Sequence, residues 1–268
     1  MHRRAHCVYS EAKACGTETG RTGNYAYLCR RKQSPSKRNA MDILYEDNHI
    51  IIVNKAPGEI VQGDKTGDRP LCEMVKDYIK EKYAKPGAVY LGVAHRLDRP
   101  VSGTVIFART SKALARLNEM FRTGKVRKTY HALTAIAPGL PADGQSVALE
   151  GWLTRDEKRN KACLHRREVA GAKLARLDLR VLRRSDRYAL LEVDLHTGRH
   201  HQIRCQLAAE GFPLRGDLKY GAPRSNADGS ICLHARSVAF EHPVSHRPVN
   251  VTAPYPALPL WRVFEPAD

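Results

Sequence analysis

A lone carboxylate in a cationic field opens a loop–strand–helix–strand unit at Ala94–Tyr130, and no other stretch restricts the fold as much. Nine Lys/Arg accompany two acidic residues there, and one of the two, Asp98, stands between Arg96 and Arg99. Neighbouring cations favour the ionised form of a carboxylate. Pro100 follows, and Ser102-Gly103 comes four residues after the aspartate, which places Asp98 on a tight loop. Thr104–Ala108 is an apolar run that reads as a buried strand. Thr110 or Ser111 then caps a helix with the core stripe Leu114, Leu117 and Phe121, and Gly124 stops it. Val126–Ala135 alternates as a strand, with Lys128 and Tyr130 on one face. Taken alone, the Arg-x-x-Asp-Arg pattern fits surface ion pairs of little consequence equally well. A second Arg-rich stretch, His196–Arg204, tips the balance towards chemistry.

The basic character is not confined to one segment. The formal net charge is +17, and residues 1–40 hold nine Lys/Arg against two Glu, so most of the excess belongs to the rest of the chain. A surface of this sign points to a polyanion, with nucleic acid as the default partner. At 268 residues the chain can bury a sizeable core as one large domain or two small ones. No apolar run is long enough to cross a bilayer, and no apolar segment follows the basic Met1–Arg4, which argues against a membrane span or secretory signal. Seven scattered cysteines without a C-x-x-C spacing argue against a disulfide framework and for the reducing cytoplasm. His2, His6, Cys7, Cys15 and Cys29 match no zinc-finger or ribbon spacing, and no metal is expected.

Residues 1–40 are poor in aliphatic side chains and carry no periodicity, as in a segment that cannot offset its ordering entropy. They read either as a disordered basic arm or as an extension upstream of the true start. From Met41 the pattern sharpens. Ile43–Tyr45 and Ile50–Asn54 read as a hairpin, and Lys55–Gly58 as the turn that ends it. Pro70 opens a helix to about Tyr83, with Leu71, Val75, Tyr78, Ile79 and Lys82 on one face. Ser146–Leu153, Lys173–Leu182, Tyr188–His196 and Ser237–Phe240 read as further strands, and Arg155–Glu168 as a basic loop, either solvated or touching phosphates.

In His196–Arg204, Gly198 marks a sharp turn into a helix whose apolar side includes Ile203 and Leu207. Three histidines invite a metal reading. Adjacent His200 and His201 diverge on a helix, however, and no acidic ligand accompanies them, so one is expected to pack or hydrogen-bond and the other to face solvent.

Five motifs follow one another in order: His95-Arg96-Leu97-Asp98 with Ser102-Gly103; Lys128-Thr129-Tyr130; Thr197-Gly198-Arg199-x-His201-Gln202-Ile203-Arg204; Gly216-Asp217-x-x-Tyr220-Gly221; and Leu233-His234-Ala235. From about Met41 to the C-terminus the chain thereby resembles the RluA-type RNA pseudouridine synthases. The resemblance implies an α+β fold with a mixed, mainly antiparallel, bisected sheet flanked by helices and a central RNA-binding cleft. It implies conversion of uridine in ribosomal or transfer RNA to pseudouridine, without cofactor or metal. Asp98 resembles the essential aspartate, Arg204 the arginine that pairs with it, and Tyr130 the tyrosine against the flipped base. Arg96 resembles the arginine that enters the vacated stack, and Arg99, Lys128, Arg199 and His201 are the further RNA-contacting candidates. Val101 and His200 depart from the usual pattern, which has Thr before Ser-Gly and Thr or Ser before the motif histidine. The expected unit is a catalytic domain over 41–268, acting as a cytoplasmic monomer. Two rival classes remain: a non-catalytic RNA-binding protein using the same basic cleft, and a nucleoside glycosylase that releases the base.

Overall fold

A computed structural model describes residues 41–265 of the chain. The basic extension 1–40, and with it the zinc reading of His2, His6, Cys7, Cys15 and Cys29, lies outside the described residues.

The first strands, β1 (Ile43–Glu46) and β2 (Ile50–Lys55), form the expected antiparallel hairpin. Asp47 closes its turn by accepting the amides of His49 and Ile50 at 2.7 and 2.8 Å. Helix α1 (Leu71–Lys82) starts after Pro70 and buries Leu71, Cys72, Val75 and Ile79. After the short β3 (Gly92–Val93) and the Asp98 loop come β4 (Ser102–Ala108), which is buried throughout, and α2 (Ser111–Arg122). Of the two capping candidates, Thr110 serves: its hydroxyl accepts the Ala113 amide at 3.1 Å. Thr110→Ala is therefore expected to cost about 1 kcal/mol in urea unfolding, with turnover unchanged.

Strands β5 (Arg127–Ala135), β6 (Ser146–Asp156), β7 (Lys161–His165), β8 (Lys173–Arg184) and β9 (Tyr188–Leu195) follow. The stretch 155–168, expected as a loop, is for the most part a hairpin: Thr154–Asp156 pairs with Lys161–Cys163. Its inward positions, Leu153, Ala162 and Leu164, pack into a small cluster with Cys205 and Tyr220. Charges crowd the outward positions and conceal that alternation in the sequence. The chain continues through α3 (Gln202–Ala209), a 3-10 turn (Leu218–Tyr220), β10 (Leu233–Glu241), β11 (Pro248–Thr252) and the one-turn α4 (Pro259–Arg262). The alternation of Val249 and Val251 that seats β11 went unnoticed at the level of sequence.

All eleven strands join one sheet in the order β1-β2-β4-β10-β5-β9-β8-β6-β7, with β3 added on β4 and β11 on β10. Every pairing is antiparallel except β4 with β10, which is parallel and only two residues long, Ser102 to His234 and Gly103 to Ala235. This narrow junction bisects the sheet. Gly103 is required there: its φ is +114°, and a Cβ would stand 2.3 Å from the Ala235 carbonyl oxygen. The Ser102 hydroxyl bonds the His234 imidazole across the same seam at 2.9 Å. Two of the motifs thus build the crossing of the two half-sheets. Among the described residues no helix is long and apolar enough to cross a membrane.

Candidate active site

Asp98 leaves the chain just before the junction, on a turn closed by the Val101 amide donating to the Asp98 carbonyl at 3.0 Å. That turn is anchored from beneath. The Lys55 ammonium, with no exposed surface, donates to the carbonyls of Ala56, Arg99 and Val101 at 2.9, 3.1 and 2.6 Å. Burial pulls this lysine down to about 8. The Gly58 amide donates to the Arg99 carbonyl and the Ile231 amide to that of Pro100. A backbone so tied presents its one free carboxylate in a fixed place.

The partner arrives from α3, 106 residues along the chain: Arg204 Nη1 donates to Asp98 Oδ2 at 2.9 Å. The guanidinium is also gripped by Asp217, which accepts from Nε and Nη2 at 2.7 and 2.8 Å. Asp217 is 1% and Arg204 5% exposed, whereas the Asp98 side chain keeps 29% of its surface open to the groove. A guanidinium shared by two carboxylates leaves one negative charge over, and Asp98 is the one that faces the groove. Burying an arginine is costly without a partner, and Asp217 supplies it with two parallel bonds. Asp217 reaches this position because Gly216, at φ +91°, turns where a Cβ would meet the Ser230 carbonyl oxygen at 2.6 Å.

His201 completes the surroundings of Asp98. It begins α3 in a left-handed conformation, φ +51°, which costs a non-glycine residue roughly 1–2 kcal/mol. Its Nδ1 lies 3.0 Å from the Tyr220 hydroxyl, which accepts the Ala162 amide at 2.7 Å. Burial pushes Tyr220 up to about 12, and burial holds His201 in its neutral form. With both groups neutral, a Tyr220 hydroxyl that donates a hydrogen bond to Nδ1 leaves the imidazole proton on Nε2, 3.4 Å from Asp98 Oδ2. The Tyr220 ring also lies 5.1 Å from the Arg204 guanidinium carbon. One tyrosine thus contacts both neighbours of the carboxylate. The loop before α3 is braced by Gln202, whose carbonyl oxygen accepts from the Thr197 hydroxyl and the Arg199 amide.

The groove in front of Asp98 encloses about 630 Å³ and is lined by Arg96, Lys128, Tyr130, Arg155, Arg199, His200 and His201 among others. A smaller pocket of about 110 Å³ adjoins it beside Asp98, lined by Leu97, Val101, Tyr130, Leu195, Ile203 and Leu233 among others. Tyr130 is buried on β5, and burial together with the Asp98 charge keeps its hydroxyl protonated. Lys128, two residues earlier, is half-buried and lowered by that burial. Arg96 is exposed at the rim, and Arg199 donates Nε to the Leu174 carbonyl at 2.9 Å.

Seven of the eight expected site residues, Asp98, Arg204, Tyr130, Arg96, Lys128, Arg199 and His201, line this one groove. Arg99 does not. Its guanidinium turns away to Asp68 at 2.5 Å, the Thr66 hydroxyl at 2.7 Å and Asp64 at 3.4 Å, so it neither flanks Asp98 nor offers a free charge to RNA. Of the two histidines, His201 packs and hydrogen-bonds as expected, but His200 is half-buried where solvent exposure was expected. The left-handed His201 stacks the His200 ring on its own at 3.8 Å, and Asp98 accompanies them as an acidic neighbour. Asp217, Tyr220 and Lys55 were missed as site residues, although the first two stand in a quoted motif.

Comparison with known proteins agrees with this geometry. The family model for RNA pseudouridylate synthase matches residues 49–209. The dual-specificity RNA pseudouridine synthase RluA of Pasteurella multocida (strain Pm70) is 32% identical over 219 residues, 80% of this chain and 93% of its own. The ribosomal large subunit pseudouridine synthase D of Xylella fastidiosa (strain Temecula1 / ATCC 700964) is 31% identical over 81% of this chain, which spans 66% of that relative. Among solved structures, human RNA pseudouridylate synthase domain containing 4 shares the fold, with a TM-score of 0.64 and 24% identity over 81% of this chain and 89% of that one. The chain belongs to the RNA pseudouridylate synthase family, isomerases that convert uridine in RNA to pseudouridine.

Proposed function

We propose that residues 41–268 form a catalytic domain that isomerises uridine in structured ribosomal or transfer RNA, with Asp98 as the group that acts on the nucleoside. The contact of Asp98 with Arg204 carries this reading: two residues 106 apart in sequence meet at 2.9 Å in a cationic groove. A relative named for the large ribosomal subunit supports ribosomal RNA as a substrate.

Uridine and pseudouridine hold the same atoms, so the reaction needs no oxidant or reductant. The C1′–N1 bond breaks, the base turns, C5 bonds to C1′, the C5 proton leaves, and N1 takes up a proton. Asp98 begins the sequence as an anion by one of two routes, attack on the nucleoside or removal of a sugar proton. Arg204 and the Nε2 proton of His201 orient it. Reaching a base within paired RNA means extruding it, at a cost of a few kcal/mol. Arg96 on the rim fills the vacated stack, and Tyr130 and the apolar lining of the smaller pocket receive the base. Lys128 and Arg199 face the phosphates, where contacts position the strand without reading sequence. The protein acts as a monomer in the cytoplasm.

RNA carrying tritium at C5 of uridine tests the reading. Tritium release without free uracil is the expected result. Free uracil would instead identify a glycosylase, and neither product a binding protein.

A further inference from the structure

The left-handed turn at His201 produces an arrangement that the isomerisation does not use. Consecutive residues of a regular helix point their side chains about 100° apart, yet the imidazoles of His200 and His201 lie face to face. A ring nitrogen of His200, one of His201 and a carboxylate oxygen of Asp98 all lie within 4.8 Å of one another. His200 Nε2 is shielded from solvent and has no hydrogen-bond partner among the described residues. A buried nitrogen left without a partner is uncommon and asks for an explanation.

We propose that Asp98, His200 and His201 form a binding site for a zinc-class divalent cation, and that the ion, once bound, stops the isomerisation by occupying the reacting carboxylate. This rests on the reading of Asp98 given above. Two imidazoles and one carboxylate are a donor set for zinc, whereas magnesium and calcium take mostly oxygen. Zinc bonds of about 2.0–2.2 Å in a tetrahedron set neighbouring ligand atoms roughly 3.3–3.5 Å apart. His201 Nε2 and Asp98 Oδ2 already stand at 3.4 Å, and the His200 nitrogen lies within 4.8 Å of the other donors, so binding requires the His200 ring to turn towards them. The fourth position opens on the groove and suits water. Tyr220 supplies an outer contact that keeps the His201 ring oriented: when the imidazole proton moves from Nε2 to Nδ1, the Nε2 lone pair is free for the metal and the tyrosine hydroxyl accepts from Nδ1. Asp98 Oδ2 also accepts from Arg204 Nη1 at 2.9 Å, so the ion shares that oxygen with a guanidinium that Asp217 holds by two further bonds. Arg155, Lys219 and Arg204 all lie near enough to His200 to act on its charge, and their repulsion keeps the site weak and the ion exchangeable. Such a site resembles a brake that responds to free metal, unlike a resident cofactor.

The test is zinc titration of the full-length, RNA-free protein by calorimetry, with cobalt and its visible absorption as a second probe. Asp98→Asn and His200→Thr are measured beside the parent, so that sites elsewhere in the chain cancel. The parent is expected to bind one equivalent that each variant binds at least tenfold more weakly. Zinc should also suppress tritium release by the parent, with full recovery on adding EDTA, and His200→Thr should need at least tenfold more zinc for the same suppression. Equal zinc binding by all three proteins overturns the site. Binding of the extra equivalent without loss of turnover overturns the brake. The calorimetric difference does not depend on catalysis, so a parent that binds zinc as described yet never releases tritium counts against the isomerase and leaves the site standing.

Discussion

Asp98→Asn is expected to lower tritium release by at least about 10³-fold while RNA affinity stays within about threefold of the parent. The substitution keeps the shape of the side chain and removes only its charge and basicity. The introduced amide still offers one carbonyl oxygen to Arg204 Nη1, so the loop has no reason to move. Arg204 keeps its two bonds to Asp217, and the lysine and backbone contacts beneath the turn are untouched. On the proposed reading affinity resides in Arg96, Lys128, Arg199 and their neighbours, none of which needs Asp98. Turnover does, because an amide is neither a nucleophile nor a base towards a sugar proton at neutral pH. A loss of 10³ corresponds to about 4 kcal/mol of barrier, within what one reacting group supplies. Single-turnover release with saturating enzyme separates this from weak binding. Release by the Asp98→Asn variant within tenfold of the parent under those conditions would remove Asp98 from the reaction.

Much of this site was readable in the chain because its parts lie in motifs that resemble those of a known family, and the resemblance implies their meeting. Asp98 and Arg204 are distant in sequence and each sits in an Arg-rich segment; the resemblance, and not the charge pattern, pairs them. The ends of α1 and α2 were readable too, since Pro70, Thr110 and Gly124 act through local backbone chemistry. What failed was inference from adjacency. Arg99 is next to Asp98 yet bonds Asp64 and Asp68, because the direction of a long side chain follows from what the fold places within reach. His200 and His201 were read as helical neighbours, but the backbone reverses hand between loop and α3. Lys55 looked like part of a polar turn; three carbonyls that converge only in the folded chain make it the anchor of the Asp98 turn. Asp217 was a motif letter whose partner could not be named until α3 and the 3-10 turn were in place.

Asp217 is where the largest stability effect is expected. Its carboxylate and the Arg204 guanidinium are both withdrawn from solvent, with side-chain exposures of 1% and 6%. Removing one member of such a pair leaves a buried charge without compensation and costs about 3–5 kcal/mol. Asp217→Ala should therefore lower the stability measured by urea unfolding by that amount. Asp98 cannot replace the lost partner in place, since it reaches Nη1 alone and is held by its own turn. Replacing the pair together separates charge from packing. In Asp217→Leu/Arg204→Met both charges go and the volume is roughly kept, so most of the lost stability should return, to within about 1–2 kcal/mol of the parent. Activity should not return with it, because Asp98 then faces the groove without its guanidinium. The two readouts part company only if Arg204 has two separable duties, a structural bond to Asp217 and an orienting bond to Asp98. Should Asp217→Ala unfold within about 1 kcal/mol of the parent, or the double variant regain turnover along with stability, that division of labour is wrong and the guanidinium serves packing alone.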